Sequence, residues 1–113
     1  MWASLASVHE VTFDPRYLDW VRAGSKTRTT RYGEVVALGP ARFRFLSTPP
    51  VLLDAVVTDI RTVTLADLDD EDAAAENFAD ADELRAALRY HYPGLAPGAV
   101  VSVVSFVVDG QQG

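Results

Sequence analysis

Apolar residues are spaced along this chain in patterns that predict strands. Residues 42–46 read Arg-Phe-Arg-Phe-Leu, and this alternation with a period of two predicts a half-buried strand. Residues 51–63 are apolar and rich in β-branched side chains, which predicts one or two central strands, and residues 100–108 predict a last strand of the same kind. Strands of this type need neighbours on both sides, so the chain is expected to build a sheet.

Two shorter strands are predicted earlier in the chain. Residues 26–32 are rich in threonine and arginine and show a weak apolar alternation, and residues 35–38 form a short apolar run. Gly33 is expected to open a turn between them, and Gly39-Pro40 is expected to form a second turn.

Helix ends are marked by capping residues. Asp14 is a good N-cap and Gly24 a natural terminator, and together they predict a helix over residues 15–23. Asp80, with a glutamate three residues later, begins a helix that ends at Tyr92-Pro93-Gly94. Short helical segments are also expected at 64–68 and 69–76. Strands that outnumber helices predict an α+β fold, a small β-barrel with helices covering its ends.

Length and composition are consistent with one soluble domain. The chain has 113 residues and no cysteine, so a single domain over 1–113 is expected, without disulfides or a cysteine-bound metal. The domain core is expected at 11–107, preceded by a short extension and followed by a frayed tail at 109–113. The N-terminus has no basic segment followed by a long apolar run, which predicts a cytoplasmic protein with no membrane partner.

Charge is distributed unevenly. The net charge is −6; residues 1–50 hold seven basic and four acidic side chains, a balance of +3, and residues 51–113 hold three and twelve, a balance of −9. An acidic chain is a poor binder of DNA duplexes, because phosphate neutralisation supplies most of their affinity. A positive mouth on an acidic body suits a small ligand or a short stretch of RNA.

One basic residue differs from the rest. Lys26 is the only lysine, and the other nine basic residues are arginines. Arginine does not give up its proton in proteins, whereas a desolvated lysine does. Lys26 is therefore a candidate for acid–base chemistry.

The segment 20–31, with its helix end and Gly-x-Lys-x-x-Thr-x-Arg pattern, resembles the signature of the ASCH domain family, whose fold is PUA-like. The pattern is matched by Gly24, Lys26, Thr29 and Arg31. Residues 72–78, the helix before Tyr92-Pro93-Gly94, and residues 100–106 resemble the C-terminal half of the family in order and spacing. The resemblance implies a PUA-like barrel.

Within that family, the chain is most similar to the small bacterial N4-acetylcytidine amidohydrolases. The resemblance implies a catalytic set of Lys26, Thr29 and Glu76, with Thr29 Oγ attacking, Lys26 shuttling the proton and Glu76 orienting Lys26 or the water. It implies a nucleoside substrate and no cofactor or metal. Arg31 is expected to contact the cytosine carbonyl or the oxyanion. Further substrate-binding candidates are Gly24, Thr27 and Arg28.

Two physical conditions follow for this set. Glu76 favours a charged Lys26, so either burial outweighs the pairing and Lys26 acts as a base, or Lys26 acts instead as a cation that stabilises the oxyanion. Residues 26 and 29 point to opposite faces of a regular strand, so Lys26 must lie in the turn after Gly24, or a bulge must intervene.

The sequence is also compatible with other functions and with purely structural roles for these residues. The chain could be an RNA-binding module or a sensor that binds a nucleotide-like ligand without turnover; the basic strip of the former would comprise Arg22, Arg28, Arg31, Arg42 and Arg44. Lys26 and Glu76 could form a surface ion pair, the threonines could be ordinary strand formers, and residues 69–72 a solvated helix start.

Four aromatic or imidazole residues also have expected roles. Tyr17 and Trp20 are expected to pack the first helix into the core, and Trp2 to stack a base or cover the barrel. His91 is expected to be structural or to lie on a rim, at a helix end that mildly favours a cationic imidazole. The acyl group, free nucleoside versus RNA, and the oligomeric state are left open by the sequence.

Overall fold

The computed structural model describes residues 8–109; the first seven residues of the predicted extension, Trp2 among them, and the last four of the predicted tail lie outside them. The elements in chain order are β1 (His9–Phe13), a 3-10 turn (Pro15–Tyr17) continuing into α1 (Leu18–Ala23), β2 (Arg28–Arg31), β3 (Gly39–Phe45), β4 (Val51–Thr64), a 3-10 turn (Leu65–Asp67), α2 (Asp70–Ala75), α3 (Ala81–His91) and β5 (Val100–Val108).

All five strands form one sheet in the order β1-β3-β4-β5-β2. β1 pairs with β3 in parallel, and the other pairings are antiparallel. β4 is a single strand of 14 residues; its first half pairs with β3 and most of its length pairs with β5, with a register shift between Val57 and Asp59. The sheet curls into a half-barrel whose free edges are β1 and β2. The α+β prediction is confirmed.

Two apolar cores lie on opposite sides of β5. Inside the half-barrel, four phenylalanines stack and meet at the ring edges, with Phe13 and Phe43 centroids 4.7 Å apart. Tyr17 is buried in this core and Trp20 packs against it, as predicted. The second core joins α2 and α3 to the outer face of β5 through buried Leu84, Leu88, Val101 and Val103, among others. Burial on both sides of β5 explains its near-continuous apolar sequence.

The helix ends follow the predicted caps. Asp14 Oδ1 accepts a hydrogen bond from Arg16 N at 2.9 Å, and Gly24 ends α1 with a φ of 79°. Asp80 caps α3 through Glu83 N at 2.9 Å. Thr64 precedes the 3-10 turn, but its side chain makes no capping hydrogen bond. Within residues 8–109, no helix is both long and apolar enough to cross a membrane.

The segment between β2 and β3 contradicts two predictions. Residues 35–38 form no strand, and Val35 is 85% exposed. β2 is one edge of the sheet and β3 lies next to the other edge, so this segment crosses the open side of the half-barrel and has no strand beside it to pair with. Gly39-Pro40 is not a turn but the start of β3.

The strand predicted at 26–32 is shorter than expected, because β2 begins at Arg28. The backbone N–H groups of Ser25 and Lys26 both donate to Trp20 O, at 3.0 and 3.1 Å. These bonds close the end of α1 and keep Lys26 in the turn that follows Gly24. A position in this turn is one of the two arrangements that could let residues 26 and 29 point toward the same place.

Candidate active site

A cavity of about 310 Å³ lies where the two free edges of the sheet face each other. Its wall includes Thr12 and Phe13 from β1, and Thr29, Thr30 and Arg31 from β2. The remaining wall comes from the connections and from α3, and consists of Asp14, Tyr17, Glu34, Leu46, Leu88, His91 and Tyr92. Its volume is at the lower end of the range for small-molecule sites, and its wall mixes aromatic and polar groups as such sites do.

Arg31 joins the two edges of the sheet. Its Nη1 donates to Thr12 O at 2.6 Å and to Glu34 Oε1 at 3.1 Å, and its Nε donates to Thr29 Oγ1 at 3.1 Å. The guanidinium lies 4.4 Å from the centroid of the Phe13 ring. With 8% of its surface exposed, Arg31 is a fixed cation in the cavity wall and not a solvated strand charge.

Lys26 and Glu76 form a buried ion pair. Lys26 Nζ donates to Glu76 Oε1 at 3.0 Å, and each side chain is 3% exposed. Lys26 and Glu76 do form an ion pair, but the alternative that placed it on the surface is wrong because both side chains are buried. The second carboxylate oxygen, Oε2, accepts a hydrogen bond from Thr30 Oγ1 at 2.6 Å. Both oxygens of Glu76 thus have donors, as a buried carboxylate requires.

Burial lowers the pKa of Lys26, although the Glu76 carboxylate acts to raise it; the Arg31 charge lowers it further. Aromatic rings surround the ammonium group: Nζ lies 4.8 Å from the Tyr17 ring centroid and 5.8 Å from that of Phe78. Desolvation thus outweighs the neighbouring carboxylate, the condition set for Lys26 to act as a base.

Thr29 lies on the opposite face of β2 from Thr30. Thr29 is 5% exposed, lines the cavity, and shares its face with Arg31. Among the described residues, no hydrogen bond joins Thr29 to Lys26 or Glu76; the hydroxyl bonded to Glu76 is that of Thr30. The geometry therefore brings together Lys26, Glu76 and Thr30, and sets Thr29 with Arg31 in the cavity wall.

Gly24, Thr27 and Arg28 hold structure together. Gly24 ends α1. Thr27 N donates to Ala75 O at 2.7 Å, and Arg28 Nη1 donates to Asp72 Oδ1 at 3.0 Å, so both fasten α2 to β2. None of the three lines the cavity within the described part of the chain.

Asp72 fastens the helix that positions Glu76, a role that was not predicted from the sequence. It lies four residues before Glu76, is 1% exposed, and accepts hydrogen bonds from Arg28 at 3.0 Å and from Arg61 Nη2 at 2.8 Å to each oxygen. It also completes a capping box with Asp69. The rest of the acidic run is exposed, as the solvated reading predicted, but Asp72 is an exception.

Replacing Asp72 by asparagine is expected to lower the free energy of unfolding by about 2–4 kcal/mol, because hydrogen bonds to a buried charge are lost. Burial by itself raises the pKa of Asp72, but the bonds from Arg61 and Asp69 N and the Arg61 charge outweigh it, so the pKa is lowered. A lowered carboxylate pKa contributes stability at neutral pH that is lost as the pH falls through the folded-state value.

Urea unfolding at several pH values measures both effects. The acid-dependent loss of stability should be smaller in Asp72→Asn than in the wild type. Asp82→Asn is the matched control, since Asp82 is 91% exposed and pairs only with Arg85 in the same helix. Equal stability of Asp72→Asn and Asp82→Asn would contradict the assignment.

Two tyrosines of the cavity wall form polar contacts that the sequence did not predict. Tyr17 Oη lies 2.7 Å from His91 Nε2, and Tyr92 Oη donates to the Glu34 carboxylate. Burial and the bond to Glu34 raise the pKa of Tyr92 to about 12. Burial lowers the pKa of His91, which opposes the mild preference for a cationic imidazole at a helix end; His91 lies on the cavity wall.

Comparison with known proteins identifies the fold. No protein-family model and no curated protein matches the chain. Among solved structures, an ASCH domain from Lactobacillus crispatus JV V101 superposes with a TM-score of 0.68 at 14% identity, covering 95% of this chain and 84% of that one. A DUF984 protein from Enterococcus faecalis V583 superposes with a TM-score of 0.63 at 17% identity, covering 96% of this chain and 89% of that one. The chain therefore has the fold of an ASCH domain.

Proposed function

We propose that this chain is an ASCH-family amidohydrolase that removes the acyl group from an N4-acylated cytidine-type nucleoside, with N4-acetylcytidine as the leading substrate. The observation that supports it most is a fully buried Lys26–Glu76 pair beside a cavity whose wall presents Thr29 and Arg31. Burying an ion pair is costly, and such pairs with a perturbed lysine are frequent at catalytic sites.

The proposed reaction has two halves. Thr29 Oγ attacks the acyl carbon, and the tetrahedral oxyanion forms beside the Arg31 guanidinium. Lys26 accepts the hydroxyl proton, a step that requires its side chain to move from Glu76 to the cavity side of β2 when substrate binds. Collapse breaks the bond to N4, and Lys26 returns the proton to N4, so that cytidine leaves. Water then attacks the acyl-threonine, and the carboxylic acid departs.

The cavity suits a flat base with a short acyl group. Its volume of about 310 Å³ leaves little room beyond a nucleobase and a small substituent. Aromatic rings of Phe13, Tyr17 and Tyr92 line the wall together with polar and charged side chains. Such rings favour stacking against a planar base.

The test is hydrolysis by the purified protein. N4-acetylcytidine is incubated with the wild type, and cytidine and acetate are quantified by chromatography. Equal amounts of the two products are expected, with no release of acetate from N-α-acetyl-lysine, an amide that lacks the base. Binding of N4-acetylcytidine without any cytidine formation would instead make the chain a sensor of this ligand.

RNA binding is the weaker alternative because its basic strip is largely neutralised. Arg31 is buried, Arg28 is paired with Asp72 and Arg42 Nε lies 3.5 Å from Asp54. Two of the five arginines, Arg22 and Arg44, have no carboxylate within salt-bridge distance among the described residues. Tight, salt-dependent binding of a short RNA with no hydrolysis would favour the RNA module.

A further inference from the structure

Thr30 belongs to both the buried ion pair and the cavity. Its hydroxyl donates to Glu76 Oε2 at 2.6 Å, and Thr30 is one of the residues in the cavity wall. Lys26 and Glu76 themselves are not in that wall within the described chain, and each is 3% exposed. The carboxylate that is expected to act on water is therefore separated from the place where water would enter.

We infer that the Thr30 hydroxyl is the proton relay between the cavity and Glu76, a role that rests on the proposed amidohydrolase function. Water in the cavity attacks the acyl carbon of acyl-Thr29 and gives its proton to Thr30 Oγ, while the Thr30 proton passes to Glu76 Oε2. The new C–O bond forms as Glu76 becomes a neutral acid and the Thr30 hydroxyl is restored.

The second half of the relay returns the proton. When the tetrahedral intermediate collapses, the bond from carbon to Thr29 Oγ breaks. Glu76 passes its proton to neutral Lys26, whose Nζ lies 3.0 Å from Glu76 Oε1, and the resulting ammonium donates a proton to Thr29 Oγ. The product is a carboxylic acid, and Lys26, Glu76, Thr29 and Thr30 are left as they began.

The local geometry suits a relay in addition to the structural role of bonding Glu76 Oε2. Thr30 is opposite Val103 in the β2–β5 pairing, where valine would keep the shape of the side chain but leave that carboxylate oxygen without its donor. The buried hydroxyl instead forms a short bond to a carboxylate that already holds one cation. A hydroxyl can accept one proton while donating another, which neither valine nor the backbone at this position can do.

Thr30→Val and Thr30→Ser test the relay, because valine keeps the shape without the hydroxyl and serine keeps the hydroxyl. With N4-acetylcytidine, Thr30→Val is expected to slow steady-state turnover about 100-fold, the size of a general acid–base contribution. Acetylated protein should accumulate during turnover, as detected by intact mass, because the water step is impaired most. Thr30→Ser should retain most of the activity. Equal turnover by Thr30→Val and the wild type, or slowing without acetylated protein, would overturn the relay.

A second readout does not depend on activity. Because Lys26 is the only lysine, a protein labelled with ¹³C-lysine gives one side-chain signal to titrate. Three groups surround Lys26: Glu76 at the end of α2, Arg31 on β2 and the ring of Tyr17. The hydroxyl of Tyr17 in turn lies 2.7 Å from His91 Nε2. Without the Thr30 donor, more of the Glu76 charge acts on Lys26, so the lysine titration should move upward by about 0.5–1 pH unit in Thr30→Val, and not in Thr30→Ser.

The two readouts separate two kinds of failure. A wild type that does not hydrolyse N4-acetylcytidine would remove the proposed function, and the lysine titration would still decide whether Thr30 controls the Lys26–Glu76 pair. An active wild type with identical lysine titrations in all three proteins would remove the relay and leave the proposed function standing.

Discussion

Lys26→Met is expected to abolish hydrolysis of N4-acetylcytidine, with a fall in turnover of at least about 1,000-fold. Methionine fills a similar volume but cannot accept the Thr29 proton or return one to N4, and general acid–base contributions are typically about 100- to 10,000-fold. The measurement is initial rates of cytidine formation at several pH values. Arg89→Met is the matched control, since it removes an exposed cation outside the cavity wall.

The same substitution is expected to destabilise the protein, and this effect must be separated from catalysis. Removing one partner of a buried pair leaves the other charge uncompensated, at a cost of about 3–5 kcal/mol. Lys26→Met combined with Glu76→Gln removes both charges, and Thr30 still has an acceptor in the amide. The double variant should recover much of the stability and remain inactive. Recovery of activity together with stability would show that Lys26 acts only through the fold.

Thr29→Val is expected to be as inactive as Lys26→Met, because no oxygen is left to attack the acyl carbon. Valine has nearly the same shape and a strong preference for strands, so β2 should be retained and the circular dichroism spectrum unchanged. Thr29→Ser keeps the nucleophile and should keep measurable activity, at a rate lowered by the freer rotation of serine.

Mass spectrometry adds a direct view of Thr29. Peptides from wild-type protein quenched during turnover should carry one acetyl group on Thr29, and peptides from Thr29→Val none. Full activity of Thr29→Val would exclude an acyl-threonine and would leave direct attack by water, held by Arg31 or Thr30, as the route.

Much of the fold follows from local sequence signals. Residues 42–45 and 100–108 lie in strands as predicted, with Leu46 just outside β3. The alternating apolar side chains of the first fit one buried face, and the nearly continuous apolar side chains of the second fit two. Asp14 and Asp80 cap helices because their carboxylates reach backbone N–H groups two or three residues away. Each of these contacts is short in sequence, so a pattern of neighbouring residues is enough to predict it.

The exceptions depend on where distant segments meet. The run at 35–38 looked like a strand, but the position of β2 at one sheet edge and of β3 near the other sends this run across the open side. Local periodicity contains no information about that path.

The candidate site also combines features that local sequence predicts with features that depend on where distant segments meet. Lys26 was identified through its uniqueness and its motif, and its burial against Glu76, 50 residues later, could only be seen in the structure. Thr29 and Thr30 are adjacent and chemically identical. Their sequence therefore could not show that Thr29 lies with Arg31 in the cavity wall and that Thr30 bonds to Glu76. Asp72 looked like its exposed neighbours until Arg28 and Arg61 were brought to it by β2 and β4.

The most direct test of the central claim is a single assay of N4-acetylcytidine with the wild type and the Lys26→Met/Glu76→Gln double variant, both first shown to be folded. We expect equimolar cytidine and acetate from the wild type and neither product from the double variant. Cytidine formation at equal rates by both proteins, or by neither, would contradict the claim that the buried Lys26–Glu76 pair serves amide hydrolysis.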